Sequence, residues 1–350
     1  EPQLFAEEVQ KVLKEPAERV MNYLDKTRKI YELTSEVFIF NHFFRMGTFF
    51  SGKFLKALLQ VRKLDSLRTM HEVNSKQFTS RQLVQLFDRY ATYNGSDPYR
   101  APGTLNVITH LEHNLGAYFP EEGMYALAKG LKELADKLGV VFHFNQRVES
   151  VVMHQKKSRG VITERGLVPS DIVVSDVDIY YLYRDLLDGI PFPLKQFKKE
   201  RSTSALIFYW AMDTSFPQLA LHNILYSTNY REEFRSLGRK KEIYSDPTVY
   251  LFISSKMVKG DAPEGKENWY VMINVPENHG QDWDSLVSKA RKQILKKINR
   301  ILGVDPEPFI VKEFVADPRS IEETTYSHRG ALYGNSSNSA MAAFGRHPNF

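Results

Sequence analysis

Apolar residues recur at helical spacing from the start of the chain. Phe5, Val9, Val12 and Leu13 form one stripe, and Val20, Leu24 and Ile30 form another. This is the three-to-four residue period of helices that bury one face. Pro16 lies between the stripes and predicts a kink or restart within residues 1–33, because proline has no amide to give the helix. Helical spacing continues over 66–74, 80–93 and 104–113, interrupted at 94–103 by Gly95, Pro98, Pro102 and Gly103. After the string FPEEGM, an amphipathic helix is predicted over 125–138, closed by Gly139.

Beyond Gly139 the period falls to two, predicting strands at 140–154, 160–164 and 171–175 with turns at 156–159 and 165–166. A helix follows at 177–187. Four runs rich in aromatic and β-branched residues then predict strands at 204–212, 222–227, 248–254 and 269–275. Because both parities of these runs are apolar, the pattern predicts a sheet covered on both faces. A helix over 282–302 presents Leu286, Ala290, Ile294, Ile298 and Ile301 inward and a basic outer face. A strand at 309–315, a short helix at 318–324 and a segment rich in Gly, Ser and Asn at 330–350 complete the chain. The order points to an α/β chain (mixed α+β) of two interleaved lobes, with no internal repeat.

Composition narrows the chemistry. The 350 residues contain no cysteine, which excludes thiolate nucleophiles, disulfides and Cys-ligated metals and suits a reducing compartment. No apolar run is long enough to span a bilayer, and no signal peptide opens the sequence. The net charge of +5 has a local source, since residues 37–64 hold no acid. There Phe38, Phe40, Phe43, Phe44, Phe49, Phe50 and Phe54 alternate with Arg45, Lys53, Lys56, Arg62 and Lys63. Phenylalanine without Tyr or Trp, at helical spacing beside cations, fits a lipid headgroup layer better than stacked nucleic-acid bases. A surface helix packed on the core accounts for the same pattern. The expectation is peripheral membrane contact through Phe43, Phe44, Phe49 and Phe50, with no nucleic acid as partner.

There is no GxSxG elbow, HExxH, Walker loop or kinase set, which removes most support for hydrolase and kinase readings. His110 and His113 could share a helix face, yet no spacing supplies a third ligand, so no metal is expected. Two carboxylate pairs, Glu121 with Glu122 and Asp176 with Asp178, fall at junctions of strand and helix, where sites form in α/β folds.

Seven strings, in order, resemble the bacterial phytoene-desaturase-type carotenoid desaturases of the flavin amine oxidase-like superfamily. They are LVQLFDRYATYNGSDPY, HLEHNLGAYFPEEGMYALAKGLKELADKLGV, FNQRVESVV, SDIVVSDVD, ERSTSALIFYWAMD, DAPEGKENWYVMINVPE and ALYGNSSNSAMAAFGRHPNF. They are most similar to the subgroup that desaturates cyclised or 1-hydroxylated carotenoids at the 3,4 position. The resemblance implies a two-lobe FAD-dependent oxidoreductase: residues 1–118 helical and facing substrate and membrane, 119–190 part of the FAD lobe, 191–325 the substrate lobe with its sheet, and 326–350 returning towards the FAD lobe. It implies flavin contact at Phe119, Pro120 and Gly123, where Glu122 replaces the first of two glycines. It further implies that the Val148 backbone faces the adenine, with Arg147 beside it and Ser175 and Asp176 at a nearby strand end.

The same resemblance implies that FAD takes a hydride from a polyene while a proton leaves the adjacent carbon, with Glu121, Glu122 and His110 as acid–base candidates. Phe208 and Trp210 are expected to line a channel for the carotenoid, and the protein is expected to be cytoplasmic, on the inner face of the membrane. Neither GxGxxG nor a glycine-rich closing motif occurs, so the resemblance places both outside these residues and predicts that this stretch alone does not retain FAD. Two other readings share the pattern: a non-catalytic isoprenoid-binding protein like the GDP-dissociation inhibitors, and a flavin oxidase or saturase on another isoprenoid.

Overall fold

A computed structural model describes residues 1–38, 64–339 and 342. They fall into two units, Glu1–Tyr118 with the chain from Ser336, and Phe119–Asn335.

The first unit is helical. Helices α1 (Pro2–Leu13) and α2 (Ala17–Phe38) are separated at Pro16, with Lys14 in the left-handed region. Helix α3 (Met70–Gln77) starts four residues later than its apolar spacing suggests, because Thr69 and Glu72 close a capping box there. Helix α4 (Arg81–Asp88) is capped by Ser80 and gives way to a 3-10 turn over Arg89–Asn94. Ala6, Val9, Val20, Tyr23, Leu24, Met70, Leu83 and Phe87 form the core. The buried Glu15 carboxylate ties the α1–α2 break to the start of α4, accepting from the Thr79 and Ser80 amides at 2.9 and 2.8 Å.

The second unit opens with helix α5 (Tyr125–Lys137), ended by Gly139 at φ +81°. Next comes an antiparallel sheet of β1 (Val148–His154), β2 (Lys157–Thr163) and β3 (Gly166–Pro169). The β1–β2 turn is Gln155–Lys156, both at positive φ, two residues tighter than the sequence suggests. Residues 140–144 and 171–175 are not strands, contrary to their alternation. A strand needs a hydrogen-bonded neighbour, and these segments instead expose Val141, Phe144, Ile172 and Val174.

The principal sheet is antiparallel, in the order β5-β6-β7-β4-β8. Its strands are β4 (Ser204–Met212), β5 (His222–Leu225), β6 (Val249–Phe252), β7 (Glu267–Val275) and β8 (Ile310–Ala316). Helix α6 (Tyr230–Arg235) lies between β5 and β6, helix α7 (Trp283–Leu302) between β7 and β8, and helix α8 (Pro318–Thr325) follows β8. One sheet face sets Leu206, Phe208, Trp210, Met212, Val249, Leu251, Val271 and Ile273 against Ala290, Ile294 and Ile298 of α7. Ile301, expected inward, is 47% exposed. The opposite face is covered only in part, where Ile321 of α8 packs on Ala205 and Ile207. The expectation of two covered faces is corrected here: both parities of the strands are apolar, yet among the described residues the second face is backed mainly by the short helix α8, which leaves Tyr209 44% and Phe314 60% exposed.

Candidate functional site

The pleat sends alternate side chains of a strand to opposite faces, so the partners opposite Tyr209 can be read directly from the register. Tyr209 stands across from Tyr270 and from Phe314, Tyr270 from Phe252, and Phe252 from His222. One row of rings thus crosses all five strands, roughly 19 Å at ~4.8 Å per strand. Tyr209 meets Tyr270 edge-to-face at 5.5 Å, and His222 stacks on Phe252 at 5.2 Å between ring centres. A cavity of about 360 Å³ lies over this row, lined by Tyr209, Phe252, Tyr270 and Phe314, with Ser254, Asn268 and Lys312 at its polar margin. Burial, with the neighbouring tyrosines Tyr209, Tyr250 and Tyr333, raises the Tyr270 phenol above its ordinary value, so it stays a protonated donor. That hydroxyl donates to the Met272 sulfur at 3.4 Å.

Phe208 and Trp210 do not belong to this row. Both are buried on the helix-backed face, and the Trp210 indole donates to Glu313, although Trp210 still borders the cavity. Tyr209, between them, is the ring on the open face. The period-two pattern contains this information only once one strand is assigned a face, and the sequence offers aromatics at both parities.

The segment expected near a flavin reaches the same row. Phe119 packs edge-to-face on Phe252 at 5.7 Å. Gly123 holds φ +81°, and a Cβ built there would meet nothing within 4 Å, so the backbone has an open flank. Pro120 is half-buried, and Glu121 and Glu122 are exposed beside it. Val148 begins β1, and the Arg147 guanidinium lies over the Tyr326 ring at 5.7 Å. Ser175 and Asp176 are exposed, the Ser175 hydroxyl accepting from the Val177 amide at 3.3 Å. Asp178 instead turns inward, capping the Ile179–Tyr181 turn and pairing with the buried Arg201.

His110 lies in the first unit, buried, on a π-helical turn, His110–Leu115. The Asn114 amide donates to its Nδ1 at 2.8 Å and Tyr31 packs on the ring. Burial lowers its pKa below the usual imidazole value. His113 contacts the Tyr90 hydroxyl through Nε2 at 2.9 Å, and the Glu112 carboxylate accepts from Tyr90 and Tyr93. These groups satisfy one another, and among the described residues no cluster could hold a metal ion. Phe43, Phe44, Phe49 and Phe50 lie outside the described residues.

A family model described as flavin containing amine oxidoreductase matches residues 3–341. The chain is 46% identical over 346 residues to a 1-hydroxycarotenoid 3,4-desaturase of a Flavobacterium species, covering 99% of this chain and 71% of that protein. It is 28% identical over 343 residues to a phytoene desaturase of Fusarium fujikuroi, covering 91% of this chain and 59% of that protein. Among solved structures, an oxidoreductase from Methanosarcina mazei superposes with a TM-score of 0.52 at 14% identity, over 83% of this chain and 71% of that one. A putrescine oxidase variant does so with 0.51 at 13%, over 93% and 66%. These two likenesses show the fold.

Proposed function

Because this chain belongs to the flavin containing amine oxidoreductase family, we propose that it contributes the substrate-binding sheet and part of the flavin lobe of a carotenoid desaturase. The reaction introduces a C=C bond into a long polyene. The observation that carries this reading is the open aromatic row with Phe119 packed against Phe252 within it. A hydrocarbon offers no polar handle, so shape and apolar burial must position it, and a band of rings serves that purpose.

FAD, the cofactor of the family, supplies when bound an acceptor for a hydride leaving the substrate. The residues fit such a group: the open flank at Gly123 leaves room for a flat ring system to approach the backbone. Phe119, Pro120 and Gly123 are assigned to that approach, and Arg147, Val148, Ser175 and Asp176 to the nucleotide side. The second hydrogen leaves as a proton, and the exposed carboxylates of Glu121 and Glu122 stand beside the Gly123 flank to take it. The Nδ1 of His110 accepts from the Asn114 amide and burial disfavours the charged ring, so the neutral imidazole carries its proton on Nε2 and can only donate there. The relatives named as 1-hydroxycarotenoid and phytoene desaturases support a carotenoid substrate. We place the protein peripherally on the cytoplasmic face of a membrane, where so insoluble a substrate resides.

The test is to incubate the intact protein and FAD with acyclic carotenoids saturated at the 3,4 position. Each turnover should extend conjugation and move the absorption bands to longer wavelength. Unchanged spectra and masses for every carotenoid offered would overturn the reading.

A further inference from the structure

One step along the strands from the aromatic row, the face changes character. Asn268, Ala211 and Lys312 stand opposite one another on β7, β4 and β8. The middle position carries only a methyl group, so the outer two side chains, roughly 10 Å apart at their backbones, flank a notch. All three border the cavity, with Ser254 beside them. The β4–β8 register shifts between Ala211 and Met212, the kind of irregularity that re-aims side chains beside sites.

The polar groups of the notch are held in place but not used up. The Asn268 amide donates to the Ser254 hydroxyl at 2.7 Å, and its oxygen accepts from the Ser255 amide at 3.0 Å. That fixes which end is which and leaves one N–H and one lone pair free. The Lys312 ammonium sits 5.1 Å from the centre of the Phe314 ring and, among the described residues, pairs with no carboxylate. An ammonium that only donates, across the notch from an amide oxygen that accepts, matches a group able to do both. A hydroxyl meets that requirement. A carboxylate would leave the amide oxygen without a donor, and a hydrocarbon end would desolvate the ammonium without return.

We propose that this notch binds the hydroxylated terminus of the polyene, Lys312 donating to the hydroxyl oxygen and Asn268 Oδ1 accepting its proton, with Tyr209 and Tyr270 covering the adjoining carbons. The assignment rests on the desaturase reading and adds the end group that selects the substrate. The cavity, of about 360 Å³, lies at the small end of the range of ligand pockets. A pocket of that size suits one end of a carotenoid, with the remainder of the chain lying outside it.

Trp210 and Trp269 border the cavity, so ligand binding can be followed by quenching of tryptophan emission in the intact protein. Two acyclic polyenes that differ only in a terminal hydroxyl are titrated side by side. The hydroxylated one should bind about tenfold more tightly, the effect of hydrogen bonds that include a charged donor. Lys312→Met and Ala211→Leu, at solvent-facing positions, should each bring the ratio of the two dissociation constants close to one, and Lys312→Arg should keep it. Because the readout is a ratio within one protein, a general loss of stability does not imitate it. Equal affinity in the unaltered protein, or a ratio that survives both substitutions, overturns the assignment while leaving the desaturase reading intact. Quenching by neither polyene overturns both.

Discussion

At the residue scale, the same amino acid carries different demands at different positions. Gly123 needs its left-handed backbone but has open space where a side chain would go. Gly160, at φ +135°, has in addition the Val168 carbonyl oxygen only 2.2 Å from any Cβ. Alanine at position 123 should therefore cost ~1–2 kcal/mol, the left-handed penalty alone. At position 160 the loss should reach ~3 kcal/mol or more, since the β2–β3 pairing must also open. Urea midpoints of the two variants should differ in that order, and a larger shift for Gly123→Ala would contradict the geometry. Gly139 was legible in the sequence as the glycine that closes α5, whereas Gly123 was singled out only through the family resemblance. The distinction between Phe208, Tyr209 and Trp210 was not legible, because three consecutive aromatics carry no mark of which points to the helix.

At the element scale, α7 is held by more than its apolar stripe. Lys297, on the side of the helix read from sequence as basic and solvated, is buried and donates to the Tyr226 carbonyl at 3.1 Å and to Asp246 at 3.0 Å. Beside it on α6, Glu233 is buried and accepts from the Thr248 amide and hydroxyl, both at 2.7 Å. Burial outweighs those bonds and pushes the carboxyl up to about 7. Such a group binds its proton more tightly folded than unfolded, where glutamate titrates near ~4.3. Its contribution to stability is therefore complete below that pH and is lost as pH rises through about 7. Chemical denaturation between pH 5.5 and 8.5 should show Glu233→Gln losing less stability across this range than the unaltered protein, and parallel curves would refute the argument. The strands of the principal sheet and α7 itself were legible to within a few residues, since their periods run long. The segments at 140–144 and 171–175 were misread because alternation reports an apolar face and not the presence of a hydrogen-bonded neighbour.

At the scale of the whole molecule, apolar surface is distributed unevenly. Leu127, Leu131, Leu134 and Leu138, spaced along one side of α5, are all more than half exposed among the described residues. No helix among those residues is long and apolar enough to cross a membrane. The proposal of peripheral membrane contact rests on the sequence of the stretch holding Phe43, Phe44, Phe49 and Phe50, which combines rings with cations and has no acid. Replacing these four with serine should abolish sedimentation of the intact protein with anionic liposomes, while unaltered sedimentation would refute the assignment. The two-lobe flavoprotein fold was legible from the motif strings. The composition of the row across the sheet was not, because it depends on which residues of five separated segments fall opposite one another.

That row has a consequence for how the protein can change. Strand β4 supplies Phe208 and Trp210 to the helix-backed interior and Tyr209 and Ala211 to the open face under the cavity, on a strict two-residue beat. Adding or deleting one residue there would exchange the two sets wholesale, thrusting indole outward and phenol inward. Point replacements along β4 therefore alter one face at a time, whereas a change of length is tolerated only in the loops that bound it.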